Sequence, residues 1–319
     1  MRIIRGLATA AGVIALTGAL VCFTARYLPI VNHPVLVLAL AAPLALFAAP
    51  LAVAVFALAR RWILAAVAAV VTVVVVGTQL PSLVGAAPPA SATSVGVVSL
   101  NMKLGQADPA SVVKLASSDA DVLAVQELTP DAAAALSEAG LDAVFPHRLI
   151  DPRPSAYGIG VWSRFPLTDT GSIDGLGLPA LTARIEIPGV TVDPVLAVVH
   201  LIPPWPPPVI DWRDDLARLS ATLAHLADVA GDGAVLVSGD FNSTTDLKQF
   251  RDALTEGYRN AAEQAGVAVA PTYPAHRLTP VIAIDHVLTR NATATALETV
   301  GVPGTDHRAL LATIMVPRG

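Results

Sequence analysis

No Asp or Glu occurs among the first 93 residues, where the only charges are Arg2, Arg5, Arg26, Arg60 and Arg61. A segment of that length with five charges has too little polar surface to be an ordinary soluble domain. Cysteine is also scarce: Cys22 is the only one. It lies in an apolar run, so the rest of the chain has neither a disulfide nor a Cys-based zinc site, although an exported compartment would allow a disulfide. The apolar runs contain no interior acid or base of the kind a coupled transporter normally needs. The C-terminal part lacks a Lys/Arg cluster, which weighs against a nucleic-acid-binding surface.

What is present divides the chain in two. Over all 319 residues, 54% are hydrophobic and 14% are charged, too apolar for one soluble domain. All 25 acids and 15 of the 20 bases lie after residue 93, which leaves that part about ten charges negative. The expected organisation is a membrane domain over residues 1–80, a linker rich in Ala, Pro and Ser over 81–93, and a soluble domain over 94–319. The soluble part is long enough for one well-buried core. No internal repeat is visible in it.

Three runs are long enough to cross a bilayer, which takes roughly 20 apolar residues. They are Gly6 to Ala25, Val35 to Ala59 and Trp62 to Leu80. The first could also be read as a cleaved signal peptide, because Arg2 and Arg5 precede it, but its apolar stretch is long for one and two more runs follow. Val71-Thr72-Val73-Val74-Val75-Val76 is a poor amphipathic helix, which favours a span over a soluble core helix there. Four arginines (Arg2, Arg5, Arg60, Arg61) flank the spans on one side and Arg26 alone on the other. The positive-inside rule then puts the N-terminus in the cytoplasm, and three spans place the C-terminal domain outside.

In the soluble part, strand-like runs alternate with helical ones. Strands are expected at Val95–Leu100, Val122–Val125, Gly158–Ser163, Leu181–Ile187, Val195–Val199, Ala234–Val237, Ile282–Leu288 and Leu310–Met315. Helices are expected at Pro109–Ser117 and at Pro130–Ala139, the latter closed by Gly140. A third, capped by Asp211 or Asp214, would run through Leu216, Leu219, Leu223 and Leu226. Several strands follow one another without a helix, so the sheet should be mixed or antiparallel.

Polar residues gather at the ends of these strands. Asn101 ends the first and Glu127 the second; His200 ends another. Asp240 and Asn242 follow Val235-Leu236-Val237, Asp285 and His286 interrupt a later run, and Asp306 and His307 precede the last strand. Each alone has an ordinary structural reading, but strand ends are where α/β enzymes collect catalytic groups. Carboxylates, an amide and imidazoles suit a hard divalent cation combined with acid/base chemistry on a phosphate ester.

The motifs Ser99-Leu100-Asn101, Val125-Gln126-Glu127, Gly158-Ile159-Gly160-Val161-Trp162-Ser163-Arg164, Val199-His200, Gly239-Asp240-Phe241-Asn242, Ile284-Asp285-His286-Val287 and Thr305-Asp306-His307 resemble those of the endonuclease/exonuclease/phosphatase superfamily, which includes DNase I-like nucleases, neutral sphingomyelinases and inositol polyphosphate phosphatases. The resemblance covers residues 94–319. Three spans followed by such a domain also resemble the actinobacterial VanJ-type membrane proteins linked to teicoplanin resistance. The resemblance implies a four-layer α/β sandwich (DNase I-like) preceded by three transmembrane α-helices. It implies Mg²⁺ or Mn²⁺ on Glu127 and Asn101, with Asp306 sharing the metal, and Asp240 and Asn242 orienting water and a phosphate oxygen. His307, paired with Asp285, would act as base or as charge partner of the phosphate, and His200 would stabilise charge on the phosphoryl oxygens. Lys103 stands two places after Asn101, where some nucleases of the superfamily carry an acid, which weakens the case for a second metal there.

The substrate expected from this reading is a lipid-linked phosphate or pyrophosphate at the outer membrane face. The stiff loop Leu201 to Ile210, with Trp205 in it and Trp212 close behind, would meet the lipid. An extracellular nuclease and a catalytically inactive envelope binding module are the alternatives.

Overall fold

The computed structural model describes residues 2–275 and 281–319 and divides into two compact units. The first comprises Met1–Pro81 with Thr245–Arg251. Its helices are α1 (Arg2–Ala25), α2 (His33–Leu40), α3 (Ala45–Leu58) and α4 (Trp62–Gly77). Asn32 caps α2 by accepting the Val35 amide at 3.0 Å. A short 3-10 turn, Ala42–Leu44, joins α2 to α3, so His33–Leu58 forms one 26-residue apolar helix. Small residues line the helix contacts: Ala19, Ala45 and Ala49 in one cluster, Ala52, Ala65 and Ala68 in another. A Cβ at Gly12 would lie 2.7 Å from the Phe56 ring, so glycine lets the two helices approach. Large apolar side chains such as Ile4, Leu7, Phe47, Ile63 and Val73 point outward.

Among the described residues two helices, Arg2–Ala25 and His33–Leu58, are long and apolar enough to cross a membrane, where three were expected. The third expected span is a 16-residue helix that ends at Gly77, not Leu80. At 1.5 Å per residue it is roughly 24 Å long, short of the ~30 Å hydrocarbon thickness. Thr78 turns back to bond the Val75 carbonyl at 2.7 Å, and Leu80–Leu83 forms a separate 3-10 turn.

The second unit, Ser82–Thr244 with Asp252–Gly319, holds two six-stranded sheets. Its strands are β1 (Ala92–Asn101), β2 (Val122–Gln126), β3 (His147–Asp151), β4 (Ile159–Ser163), β5 (Leu167–Ser172), β6 (Leu181–Ile185), β7 (Val195–His200), β8 (Val235–Asp240), β9 (Arg259–Asn260), β10 (Asp285–Arg290), β11 (Thr293–Gly301) and β12 (Arg308–Pro317). Helices α5 (Pro109–Asp119), α6 (Pro130–Glu138), α7 (Leu141–Val144), α8 (Val209–Ala230), α9 (Lys248–Ala253) and α10 (Ala261–Gln264) complete the chain. One sheet runs β11-β12-β1-β2-β4-β3, the other β5-β6-β7-β8-β10-β9. Among the described residues only β1–β2 and β7–β8 pair in parallel. Those two pairs are joined through α5 and α8, as a parallel crossover requires.

Alternation along the strands sends Val95, Val97, Val122, Leu196, Leu236 and Val287 into the space between the sheets. The opposite face of the first sheet (Leu100, Leu123, Val125) packs on Val112, Ala116 and Leu136 of α5 and α6. Helix α8 lies on β7 and β8 of the second sheet. The order helix, sheet, sheet, helix is the expected four-layer arrangement, and the sheets are mixed as expected. Several local expectations are corrected. Strand β1 begins at Ala92, inside the segment read as linker. Strand β6 stops at Ile185, before Pro188. Helix α8 starts at Val209 after Pro208, so Asp211 and Asp214 lie inside it and cap nothing. Asp285 and His286 open β10 instead of interrupting it, because Ile282 is engaged in a separate bridge to Tyr273.

Candidate active site

The site lies where β1, β2, β7 and β8 end and β10 and β12 begin. In the second sheet His200, Asp240 and Asp285 are direct neighbours across β7, β8 and β10. In the first sheet Asn101 is the register partner of Gln126, and Glu127 follows it. A Cβ at Gly239 would run into the Val199 carbonyl, so the Gly before Asp240 lets β7 and β8 come together at this point.

Asn101 joins the two sheets. Its Nδ2 donates to Glu127 Oε1 and to Asp240 Oδ2, both at 3.0 Å, and its Oδ1 accepts the Lys103 amide at 2.8 Å. Glu127 Oε2 accepts the Leu104 amide at 2.6 Å. Lys103, Leu104 and Glu127 all have positive φ (49°, 54° and 57°), a conformation that costs energy for non-glycine residues and is held by these hydrogen bonds.

Asp240 Oδ2 is the focus of the constellation. Besides Asn101 it faces His200 Nε2 at 3.7 Å and His307 Nε2 at 3.8 Å. Glu127 Oε1 is 4.0 Å from His200 Nε2. Asp240 Oδ1 accepts the Asn242 amide at 2.8 Å, and Asn242 Nδ2 donates to the Leu201 carbonyl at 2.8 Å. His307 Nδ1 is 2.9 Å from Asp285 Oδ2. Burial opposes charge on His307, but the Asp285 carboxylate, with Asp240 and Asp306 beyond it, pushes its pKa up to about 10. Burial, and then the charge of Asp285, raise the Asp240 pKa above its ordinary value. The structure therefore brings Asn101, Glu127, His200, Asp240, Asp285 and His307 into one cluster, with Asn242 beside it. Asp306 is next to His307 in the chain, but its carboxylate has no hydrogen-bond partner among the described residues.

The donor set fits a hard divalent cation. Ligand atoms of Asp240, Asp285 and His307 lie within 4.8 Å of one another. The His307 nitrogen facing Asp285 is already engaged, and a protonated imidazole offers no lone pair. The carboxylates of Glu127 and Asp240 are the oxygen donors such an ion prefers, Asn101 would add its Oδ1 only with the amide turned over, and Asp285 Oδ1 is buried without a hydrogen-bond partner among the described residues.

The sequence did not disclose several supporting roles. Trp212, expected beside the lipid loop, is fully buried, and its Nε1 donates to Ser243 Oγ at 2.9 Å. It cannot meet a membrane. One turn on, buried Asp215 accepts the Ile202 amide at 2.9 Å and the Gly177 amide at 2.6 Å. One face of α8 thus holds the chain just after His200 and just after Asn242. His286 Nε2 donates to the Ser243 carbonyl and Asn260 Nδ2 donates to its Nδ1, both at 2.8 Å. Burial lowers the His286 pKa to about 4, so this ring is neutral. The Tyr273 ring lies 5.0 Å from that of His307. Trp212 and His286 were visible in the sequence but not in these roles, and Asp215 was legible as an acid within the apolar face of α8.

Residues 98–307 match the model of the endonuclease/exonuclease/phosphatase family. The chain belongs to this family. Solved structures agree on the fold. The endonuclease/exonuclease/phosphatase from Bacteroides vulgatus is 15% identical with a TM-score of 0.55, over 70% of this chain and 99% of that one. D. rerio TDP2, complexed with a single-strand DNA product, is 17% identical with a TM-score of 0.57, over 70% and 99%. Truncated Caenorhabditis elegans TDP2 is 15% identical with a TM-score of 0.54, over 70% and 98%. No curated protein matches the chain. As a family member, the chain has the fold of hydrolases that act on phosphoester bonds and generally use divalent metals.

Proposed function

We propose that this family member is a membrane-anchored, divalent-metal-dependent phosphoesterase of VanJ type, which hydrolyses a lipid-linked phosphate or pyrophosphate outside the cytoplasm. The observation that carries the enzymatic reading is the Asn101–Asp240 bond between the sheets, which sets Glu127, His200 and the Asp285–His307 pair around one carboxylate oxygen. A group that had become a mere binding module would have little reason to retain all of these.

Glu127 and Asn101, with Asp240 or Asp306 completing the set, would hold Mg²⁺ or Mn²⁺. The ion supplies positive charge against the phosphate oxygens when bound. Asp240 and Asn242 orient the attacking water and a phosphate oxygen. His307, gripped by Asp285, presents Nε2 as a cationic donor toward the phosphoryl group, and His200 Nε2 approaches the same carboxylate from the other side. Charge on the phosphoryl oxygens is thereby offset by groups already in place, which avoids reorganisation during reaction.

Two features favour a lipid over DNA. The C-terminal part is about ten charges negative, whereas DNA binding draws its affinity from cationic contacts. The segments at the catalytic ends of the strands also carry exposed large apolar side chains: Leu104, Tyr157, Trp205 and Val281, with Ile210 in the first turn of α8. The nuclease reading draws on the DNA product bound by D. rerio TDP2. For location, Arg26 pairs with Asp246 at 3.0 Å, and Arg251 bonds the Arg26 carbonyl at 2.7 Å. Arg26 lies between the first two candidate spans. The pairing therefore favours an odd number of crossings before Asp246, with α4 as a short third. A reporter active only in the cytoplasm, fused after Gly319, should be silent; signal from it overturns the orientation.

The full-length protein in detergent should be assayed on plasmid DNA, sphingomyelin, a phosphoinositide and a polyprenyl diphosphate, each with Mg²⁺ and with EDTA. Hydrolysis of a lipid substrate, lost in EDTA, is expected. Trp205→Ala should lower hydrolysis in vesicles far more than hydrolysis of a short soluble analogue, because it removes interfacial burial and leaves the chemistry intact. Efficient cleavage of DNA with no activity on lipids would restore the nuclease.

A further inference from the structure

Lys103 occupies an unusual place in this site. Its own amide is bonded to Asn101 Oδ1, and the next amide, of Leu104, is bonded to Glu127 Oε2. Three successive residues, Lys103, Leu104 and Gly105, are left-handed, with φ of 49°, 54° and 76°. The position of the Lys103 backbone is thus fixed by the same two side chains that would hold the metal. The side chain is half-buried, and among the described residues its ammonium has no hydrogen bond or ion pair. The ammonium is open to water, and its flexible stem starts from a backbone held at a site rich in carboxylates (Glu127, Asp240, Asp285).

That cluster poses a charge problem for any phosphate ligand. A divalent ion and the His307 imidazolium together offset no more charges than the three carboxylates can carry. A phosphodiester brings one more negative charge, whereas a phosphomonoester or a diphosphate brings two or more. An additional cation that can reach the bound phosphate matters most for the more highly charged ligand, because Coulomb attraction scales with ligand charge. Lysine suits this task as a compact point charge on a flexible stem that can follow a phosphate oxygen.

We propose that Lys103 is a specificity-determining residue that selects substrates with a dianionic phosphate group, a phosphomonoester or a diphosphate, over phosphodiesters. This rests on the reading of the chain as a phosphoesterase and narrows it: the bond cut would be that of a terminal phosphate or a diphosphate, not the interior diester of a nucleic acid.

The test uses the full-length protein with Mg²⁺ at pH 8, the wild type beside Lys103→Gln and Lys103→Arg. Binding is read by calorimetry with inorganic phosphate as the dianion and dimethyl phosphate as the monoanion. Lys103→Gln should weaken phosphate binding by about 30-fold and dimethyl phosphate by about 5-fold, since the logarithm of the loss follows ligand charge. Lys103→Arg should restore most of the difference. Turnover should show the same split between a lipid diphosphate or lipid monophosphate and a lipid diester, and comparison of the first two tells which dianion is preferred. Equal losses on both probes, or none, in a protein that still cleaves phosphoesters would overturn the role of Lys103 alone. A wild type that prefers the diester would also overturn it. A wild type that binds no phosphate and cleaves no phosphoester would overturn the phosphoesterase reading and this inference with it.

Discussion

His307→Ala and Asp285→Asn should each lower turnover by about 10²-fold or more, the usual worth of one positioned acid or base group. His307 Nδ1 is 2.9 Å from Asp285 Oδ2, so the Asp acts on substrate only through the ring it holds. Removing the carboxylate takes away the principal charge that keeps His307 protonated, despite burial that favours the neutral ring. The two losses should therefore overlap. The double variant should be about as impaired as the worse single one, whereas independent residues would multiply. Steady-state kinetics on the substrate identified by the panel decides it. Multiplied effects would show that the pair does not work as a unit.

Glu127→Gln is the second large effect expected. Glu127 has side-chain exposure of 16%, the most open of the clustered carboxylates in contact with His200, which suits an ion that keeps several waters. Its two oxygens also accept amides, one from Leu104 and one from Asn101. Glutamine removes the charge and turns an N–H₂ toward one of those donors. Mg²⁺ affinity in calorimetry should fall by at least about 10- to 100-fold, the range seen when even outer partners of a metal site are lost. Turnover should fall with it and recover in part at high Mg²⁺. An unchanged affinity in a variant with an unchanged melting curve would move the metal to Asp240 and Asp285.

Much of this site was readable in the chain because its residues sit at the ends of buried, β-branched strands. Val122 to Gln126 and Val235 to Asp240 are buried throughout, and such runs announce a strand and mark its end without tertiary information. The edge strands were not readable. His147–Asp151 has no fully buried residue, and Leu167–Ser172 is half-buried or exposed, so neither carries an apolar period. Strand β9 has two residues and exists only because β10 offers it a partner. Trp212 shows the limit most plainly. An indole near a Pro-rich loop looks like an interfacial side chain, yet the helix turns it inward to Ser243. The third span was read to Leu80 because the uncharged run continues past Gly77, whereas the helix does not.

The sequence by itself determined the division into an acid-free apolar part and an acidic α/β part, the family, and the identity of the clustered Asn, Glu, Asp and His residues. These follow from composition, from strand-length apolar runs and from short motifs, all of which are local along the chain. Only the tertiary structure decided which of those residues meet. Asn101 and Asp240 are 139 positions apart and bond at 3.0 Å because two separate sheets pack face to face. His307 and Asp285 pair across the start of two strands in different sheets, and α8 reaches over to hold Ser243 and Ile202. Such contacts depend on register and on the packing of one sheet against another, and no local pattern encodes either.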